Sequence, residues 1–296
     1  MTRTFRVVLI GVGAVADAIA RALRDLNADG VAQLVAGSCR TREKGERFAA
    51  TYGCKWYGDT TAMLDAERPD VAIVATPSGA HLDAALPCFE RRVHVLCEKP
   101  LEITTERCRK MIAAADDAGV TLGGIFPQRY NPVTNVIRRA ARDGRFGNLS
   151  TVSVTVPWWR DDAYYGKGRW QGTLALDGGG ALMNQGIHNI DLLQWLAAAT
   201  MPDLSPDQSA VEEVFAYTAR RGHDPSRVEV EDTAVATVRF RNGALGQILA
   251  ATSIWPGSLR RVMIAGRDGT AELIEDQLVA WQFRTELPDD TTVRAQ

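Results

Sequence analysis

The sequence contains no Cys-x-x-Cys pair, no apolar run long enough to span a membrane, no low-complexity tract and no marked excess of charge of either sign. Each absence removes a class of function. Five cysteines, Cys39, Cys54, Cys88, Cys97 and Cys108, form an odd set without paired spacing, which excludes a disulfide framework and a structural zinc site. Reduced and mostly buried thiols are expected, and no metal. The apolar stretch after MTRTF is too short for a membrane span and lacks a cleavage region, so the expectation is a cytoplasmic protein that does not bind membranes. Thirty-four basic and 36 acidic residues are interspersed, giving a net charge of -2 and no electrostatic footprint for nucleic acid. The expected partner is a small molecule.

What is present is a chain of 296 residues, longer than a usual single domain, with a hydrophobic fraction of 46% that suits a globular protein with a sizeable core. Its first part alternates short apolar runs with helical stretches: FRVVLI, AVADAIARALRDL, VAQLVAGS, TREKGERFAATYG, DVAIVAT, GAHLDAALPCFERR, VHVLCEKP, TERCRKMIAAADDAG and VTLGGIF. Strands that are apolar throughout suit a parallel sheet covered by helices on both faces. Gly119 is read as a helix C-cap and Ser78 as an N-cap. After about residue 124 the pattern changes to one helix, NPVTNVIRRAARDG, a strand, LSTVSVTV, a glycine-rich entry to a helix, DGGGALMNQGIHNIDLLQWL, and then mostly strands. VEDTAVATVRF and ALGQILAATS flank the turn Arg241-Asn242-Gly243, and Asp268-Gly269 separates RRVMIAG from TAELIE, so this part reads as antiparallel. The fold class is therefore α/β: an N-terminal Rossmann doubly wound parallel sheet over residues 1–123, and an α+β domain over 124–296 with a large, mainly antiparallel open sheet.

Gly11-Val12-Gly13-Ala14-Val15-Ala16 follows a predicted strand and opens a predicted helix, the context a GxGxxG/A dinucleotide fingerprint requires. Gly11 permits the tight turn, Gly13 lets the backbone approach a pyrophosphate, and Ala16 keeps helix and sheet close. The second strand ends in Gly37-Ser38-Cys39-Arg40, without the acid that accepts from the adenine ribose of NAD. A guanidinium at Arg40 suits a 2′-phosphate, so NADP(H) is favoured over NAD(H), with stacking on adenine or simple solvation of Arg40 as the alternatives.

Three further segments, Thr76-Pro77-Ser78-Gly79-Ala80-His81, Cys97-Glu98-Lys99-Pro100 and Gly178-Gly179-Gly180 through Gly186-Ile187-His188 to Asp191, give the chain a resemblance to the glucose-fructose oxidoreductase/inositol dehydrogenase/MocA family over almost its whole length. The resemblance implies hydride exchange between a nicotinamide and a hydroxyl or keto carbon of a sugar, cyclitol or sugar derivative. It implies Lys99 and His188 as the catalytic pair, His188 exchanging the proton of the substrate hydroxyl and Lys99 polarising or sharing it. A cis bond before Pro100 is one way to aim Lys99. Outside the family context Lys99 reads as a solvated strand-end charge and His188 as a satisfied core residue.

Cofactor contacts are expected from Gly11, Val12, Gly13, Ala14, Val15, Ser38, Arg40, Thr76, Pro77, His81, Glu98, Lys99, Gln128 and Trp170. Substrate contacts are expected from Lys99, Arg160, Tyr165, Asn184 and His188. The aromatic concentration Trp158-Trp159, Tyr164-Tyr165 and Trp170 suits stacking on sugar rings and equally suits packing. Relatives often carry Asp where this chain has Asn184, and Trp-Arg where it has Trp170-Gln171, which shifts the acid–base load to Lys99 and His188. On a helix, positions 184 and 188 share a face. Relatives also continue with C-terminal helices, and these are expected to be missing here. A homodimer or homotetramer is expected through the open sheet, with the site between the domains. Two rival readings remain at this point: an NAD-dependent glycosidase with transient redox, and a non-catalytic dinucleotide sensor.

Overall fold

The computed structural model describes residues 3–205 and 207–295, and the chain divides into two compact units, Met1–Ile125 and Phe126–Gln296. In the first unit the elements run β1 (Phe5–Ile10), α1 (Ala16–Ala28), β2 (Ala32–Ser38), α2 (Arg42–Tyr52), β3 (Lys55–Tyr57), α3 (Thr60–Glu67), β4 (Val71–Val74), α4 (His81–Glu90), β5 (His94–Cys97), α5 (Thr105–Ala118) and β6 (Leu122–Gly124). The strands form one six-stranded sheet in the order β3-β2-β1-β4-β5-β6, and every pairing is parallel. Both faces are buried, as continuous apolar strands demand. One face packs Val8, Ala72, Val74 and Val95 against Met63, Leu82, Phe89 and Met111, and the other packs Val7, Leu9, Leu34 and Ile73 against Ala16, Ala20, Leu23 and Phe48.

The expected β and α segments are all present, but the pair β3–α3 is additional to them. Three strand residues and an eight-residue helix carry too little periodicity to be read locally. Asp59 caps α3 by accepting from the Ala62 amide. Gly119 closes α5 in the left-handed conformation at φ +67° as expected. The expected cap at Ser78 is not formed. The chain enters α4 through a single 3₁₀ turn at Ser78–Ala80, Ser78 is buried, and the position before His81 gives no side-chain cap.

The second unit contains α6 (Pro132–Arg142), β7 (Leu149–Pro157), α7 (Ile187–Ala198), β8 (Val211–Ala219), β9 (Thr233–Phe240), β10 (Leu245–Ala251), β11 (Arg261–Gly266), β12 (Gly269–Ile274), β13 (Gln277–Phe283) and α8 (Asp290–Arg294). Its seven-stranded sheet has the order β13-β12-β11-β7-β10-β9-β8. All pairings are antiparallel except the central one, where β7 runs parallel to β10. That exception brings together strands nearly a hundred residues apart in sequence. Ile137 of α6 and Leu192, Leu193 and Leu196 of α7 cover one face, over Val152, Val154, Ile248, Val262 and Ile264. The other face exposes Phe215, Tyr217, Val235 and Leu245.

Candidate active site

In the first unit the candidate residues gather at the carboxyl edge of the sheet, where the strand order reverses between β1 and β4. Ligands of open α/β sheets bind in that crevice. The turn after β1 is pinned on both sides: the Gly11 amide donates to Ser38 O at 2.9 Å, and the Ala75 amide to Ile10 O at 2.8 Å. Gly11 has φ +97°, and a Cβ there would lie 2.7 Å from the Ala75 carbonyl and 2.8 Å from the Thr76 nitrogen. Only glycine permits this close passage. Val12 sinks its side chain into the core, while Ala14 and Val15 are exposed at the start of α1. Val15 precedes α1 without a side-chain cap, and in the first turn the Ala16 amide donates to Gly13 O at 3.3 Å. Thr76 Oγ1 is buried beside this turn and has no hydrogen-bond partner among the described residues. A glycine cradle, an uncapped helix start and an orphaned hydroxyl at one sheet edge fit the pyrophosphate and ribose of a dinucleotide.

At the end of β2, Ser38 is buried and its hydroxyl pairs with Thr60 Oγ1 at 3.0 Å, so it is turned toward α3. Arg40 is exposed, whereas Arg42 is engaged with Glu46 at 2.7 Å. Lys99 is half-buried just past β5, its amide donating to Glu98 Oε2 at 3.2 Å, and the Lys99–Pro100 peptide is cis. Burial pushes the Glu98 carboxyl up, against the pull of the Lys99 amide and charge. His81 departs from its expected role as a cofactor contact. It is 1% exposed, with Nδ1 2.9 Å from the Pro100 carbonyl and Nε2 2.9 Å from the Thr76 carbonyl. Burial pushes its pKa down, and the surrounding carbonyls and Glu102 pull the other way. Its ring thus ties the loop after β4 to the loop after β5, a tie that spans 19 positions and leaves no local signal in the sequence.

In the second unit the glycine run solves a packing problem. Gly180 approaches the strand start so closely that a Cβ would lie 1.9 Å from Glu231 O. In return the Glu231 carboxylate accepts from the amides of Gly180 and Leu182, and its carbonyl from the Ala181 amide. Three orphan donors at the start of a helical segment are satisfied by one residue. The segment Ala181–Gly186 is a π-helical turn, and α7 follows without a break, with half-buried His188 as its second residue. Wide turns of this kind are uncommon and cluster at functional sites. The expected α-helical offset between positions 184 and 188 is therefore replaced by a wider one. The Phe126 ring meets His188 edge-on at 6.0 Å, and Arg129 grips Asp191 with both ends of its fork. Gln128 lies half-buried in the short 3₁₀ turn before α6.

Asn184 and Gln185 are buried on the π turn. Asn184 Nδ2 donates to Asp177 Oδ1 at 2.6 Å, and Asn184 Oδ1 accepts from Gln185 Nε2 at 3.2 Å. Gln185 Nε2 also donates to the Tyr164 hydroxyl at 2.8 Å, while its Oε1 accepts from Arg160 Nε and Nη2 at 3.1 and 2.7 Å. The Arg160 guanidinium lies over the Trp158 ring at 5.1 Å and the Tyr164 ring at 5.6 Å. Tyr165, expected at the substrate, belongs to the interior instead: its hydroxyl donates to Thr252 Oγ1 at 3.0 Å, and burial pushes its pKa up to about 12. Its neighbour Tyr164 carries the hydroxyl that joins the network. Trp170 is half-buried, and Gln171 Oε1 is buried without a partner among the described residues.

Sequence reasoning missed Asp177, Gln185 and Glu231. For Asp177 a signal existed, an acid immediately before a glycine triplet. Glu231 carried none, because its partners lie about fifty residues upstream. Among the described residues no group of three or more His, Cys, Asp or Glu is placed to hold a metal ion, and no helix is long and apolar enough to cross a membrane. The thiols of Cys54 and Cys88 are pushed up by burial to about 11 and about 12, so they are poor nucleophiles.

Residues 5–125 match the model of an oxidoreductase family with an NAD-binding Rossmann fold, and residues 134–272 match the GFO/IDH/MocA C-terminal domain. Among curated proteins, the chain is 30% identical to the D-apiose dehydrogenase of Paraburkholderia graminis over 288 residues, covering 90% of this chain and 72% of that protein. It is 28% identical to the D-glucoside 3-dehydrogenase of Escherichia coli K12 over 258 residues, covering 81% of this chain and 68% of that protein. Among solved structures it resembles the WlbA dehydrogenase of Bordetella pertussis in complex with NADH and UDP-GlcNAcA. That likeness has a TM-score of 0.90 at 32% identity and covers 99% of this chain and 84% of the other.

Proposed function

Because this chain belongs to the GFO/IDH/MocA oxidoreductase family, we propose that it is a dehydrogenase or reductase that interconverts a hydroxyl and a keto carbon on a sugar, cyclitol or sugar derivative. The observation that carries this reading is the Gly11 cradle pressed against Ala75–Thr76, in a chain that keeps Lys99 at the end of β5 and His188 at the start of α7. The two named dehydrogenases and the sugar-nucleotide complex among its relatives support the substrate class.

When bound, the nicotinamide supplies the hydride acceptor or donor. His188 takes the proton from the reacting hydroxyl in the oxidative direction and returns it in the reductive one, a task suited to an imidazole near neutral pH. Lys99 polarises the same oxygen. Glu98, Thr76 and Pro77 contact the nicotinamide half, the amides of Gly11 through Val15 hold the pyrophosphate, and Gln128 and Trp170 add further contacts. Arg160 and Tyr164 line the sugar's side of the site through the network that holds Gln185.

At the adenine ribose we assign Arg40 to a 2′-phosphate, so that NADP(H) is used in preference, since no acid stands at Cys39 to accept from a free ribose. The NADH bound in the Bordetella pertussis relative favours a second reading, NAD(H) as the working cofactor. The exposed face bearing Phe215, Tyr217, Val235 and Leu245 is assigned to self-association as a homodimer or homotetramer.

The test is a nicotinamide absorbance screen of sugars, cyclitols and nucleotide sugars with both cofactors. Stoichiometric change of the cofactor with at least one of them is expected. Sugar cleavage with no net change of the cofactor would contradict the reading and favour a glycosidase.

A further inference from the structure

Asp177 is 1% exposed, and a carboxylate removed from water in this way is costly unless its oxygens are paired. Each oxygen has a donor within the second unit: Oδ2 accepts from the Gly172 amide at 2.8 Å, and Oδ1 from Asn184 Nδ2 at 2.6 Å. A carboxylate only accepts, so the Asn184 amide has one permitted orientation. The flipped amide would bring two acceptors to 2.6 Å. With Nδ2 held by Asp177, the carbonyl end of Asn184 is turned away from the acid and accepts from Gln185 Nε2.

Gln185 is oriented from its other end by the same logic. Arg160 only donates, so Gln185 Oε1 must face it, and Nε2 is left to serve both Asn184 Oδ1 and the Tyr164 hydroxyl. A directional chain therefore runs from the Arg160 cation to the Asp177 anion through two amides, neither of which can reverse. A stability role alone does not call for this, since apolar side chains of similar volume fill such space at no desolvation cost. What the chain does produce is a defined acceptor on the π turn that leads into His188.

We propose that Asp177 is a positioning residue that locks Asn184 with its Oδ1 as hydrogen-bond acceptor for a substrate hydroxyl, so that the site selects a donor at that position of the sugar. The proposal rests on the dehydrogenase reading above for the identity of the ligand, and on the second unit alone for the orientation.

The test uses the full chain, three variants and one spectroscopic probe. Asp177→Asn removes the obligate acceptor and lets Asn184 reverse. We expect kcat/KM for the sugar to fall roughly 100-fold, the size of loss that misplacing a substrate-orienting group produces, while the KM for the cofactor stays within about twofold. Asn184→Asp places two carboxylates where one stood and is expected to fall as far, because two such groups cannot both ionise at that distance. The exchange variant Asp177→Asn/Asn184→Asp restores one acid and one amide and is expected to recover most of the sugar kcat/KM at an unchanged Tm. A purely structural pair would instead move the cofactor KM, the sugar KM and Tm together. Independently of turnover, the Asn184 side-chain amide in the wild-type protein should give a slowly exchanging, downfield-shifted NMR proton that Asp177→Asn abolishes. A rapidly exchanging Asn184 amide in the wild type overturns the proposal without any variant, as does Asp177→Asn with unchanged sugar kcat/KM. Failure of the wild type to turn over any sugar would sink the dehydrogenase reading instead, and the amide resonance would still decide the orientation.

Discussion

The two units hold their candidate residues by different physics. In the first, Gly11, Thr76 and Lys99 each lie just past the end of a strand, β1, β4 and β5. In the second, placement depends on partners remote in sequence. Gly180 meets Glu231 across 51 positions, and His223 stacks on Trp159 while its Nε2 meets the Arg160 carbonyl 63 positions away. A site held by its own strands is robust to change elsewhere. A site held by distant buried pairs inherits the stability of those pairs.

The largest expected effect sharpens that contrast. Asp232 is fully buried and accepts from the amides of Arg221, Gly222 and His223 and from His223 Nδ1 at 3.1 Å. Asp232→Ala is expected to destabilise the second unit by about 3–5 kcal/mol, the cost of stranding buried partners. Calorimetry should show the melting transition moving down accordingly. Acid probes the same group. Although burial pushes the Asp232 carboxyl up, the Gly222 and Arg221 amides outweigh it and hold it below the usual range. Its contribution is therefore present above the unfolded value of about 4 and is lost as pH falls below that. The second unit of the wild type should weaken below about pH 4, and the Asp232→Ala variant should lose that part of the acid sensitivity.

Of intermediate size are paired glycine substitutions. Gly180→Ala and Gly11→Ala each force a Cβ into backbone, at an expected cost of about 1–3 kcal/mol from overpacking. Gly11→Ala should also abolish measurable cofactor binding by fluorescence, because its turn is the cradle itself. Gly180→Ala should leave cofactor binding near the wild-type value and lower sugar turnover. Equal loss of cofactor binding in both variants would break the comparison.

The same contrast explains what could be read in advance. The Rossmann sheet, the Gly11–Ala16 turn and the strand-end positions of Thr76 and Lys99 were legible because parallel strands buried on both faces are apolar throughout, and because the fingerprint lies within six consecutive residues. The open sheet was legible as mainly antiparallel from its turns at Asn242-Gly243 and Asp268-Gly269, but the central parallel pairing of β7 with β10 was not, since no local pattern encodes it. Aromatic composition pointed to Tyr164-Tyr165, and Tyr165 was the ring expected at the substrate, whereas that ring faces inward. Its inward position is set by Thr252, 87 positions on, which takes the Tyr165 hydroxyl. Asn184 looked like a lost acid when read alone. In the fold it is the amide end of a pair whose acid is Asp177.

The smallest expected effect concerns the adenine end, at the exposed Arg40. Arg40→Ala should weaken NADPH binding roughly tenfold, the worth of one charge-assisted contact, and leave NADH within about twofold. Equal affinities for both cofactors before and after the change would favour NAD(H) as the working cofactor.

The central claim is the proposed assignment of Lys99 and His188 as the catalytic pair. It is tested most directly by single-turnover absorbance of Lys99→Ala and His188→Ala, loaded with cofactor and given a sugar that the wild type accepts. Turnover should fall roughly 100-fold or more in each, as for loss of an acid–base group, while cofactor binding by fluorescence stays at the wild-type value. Undiminished turnover in both variants would contradict the account.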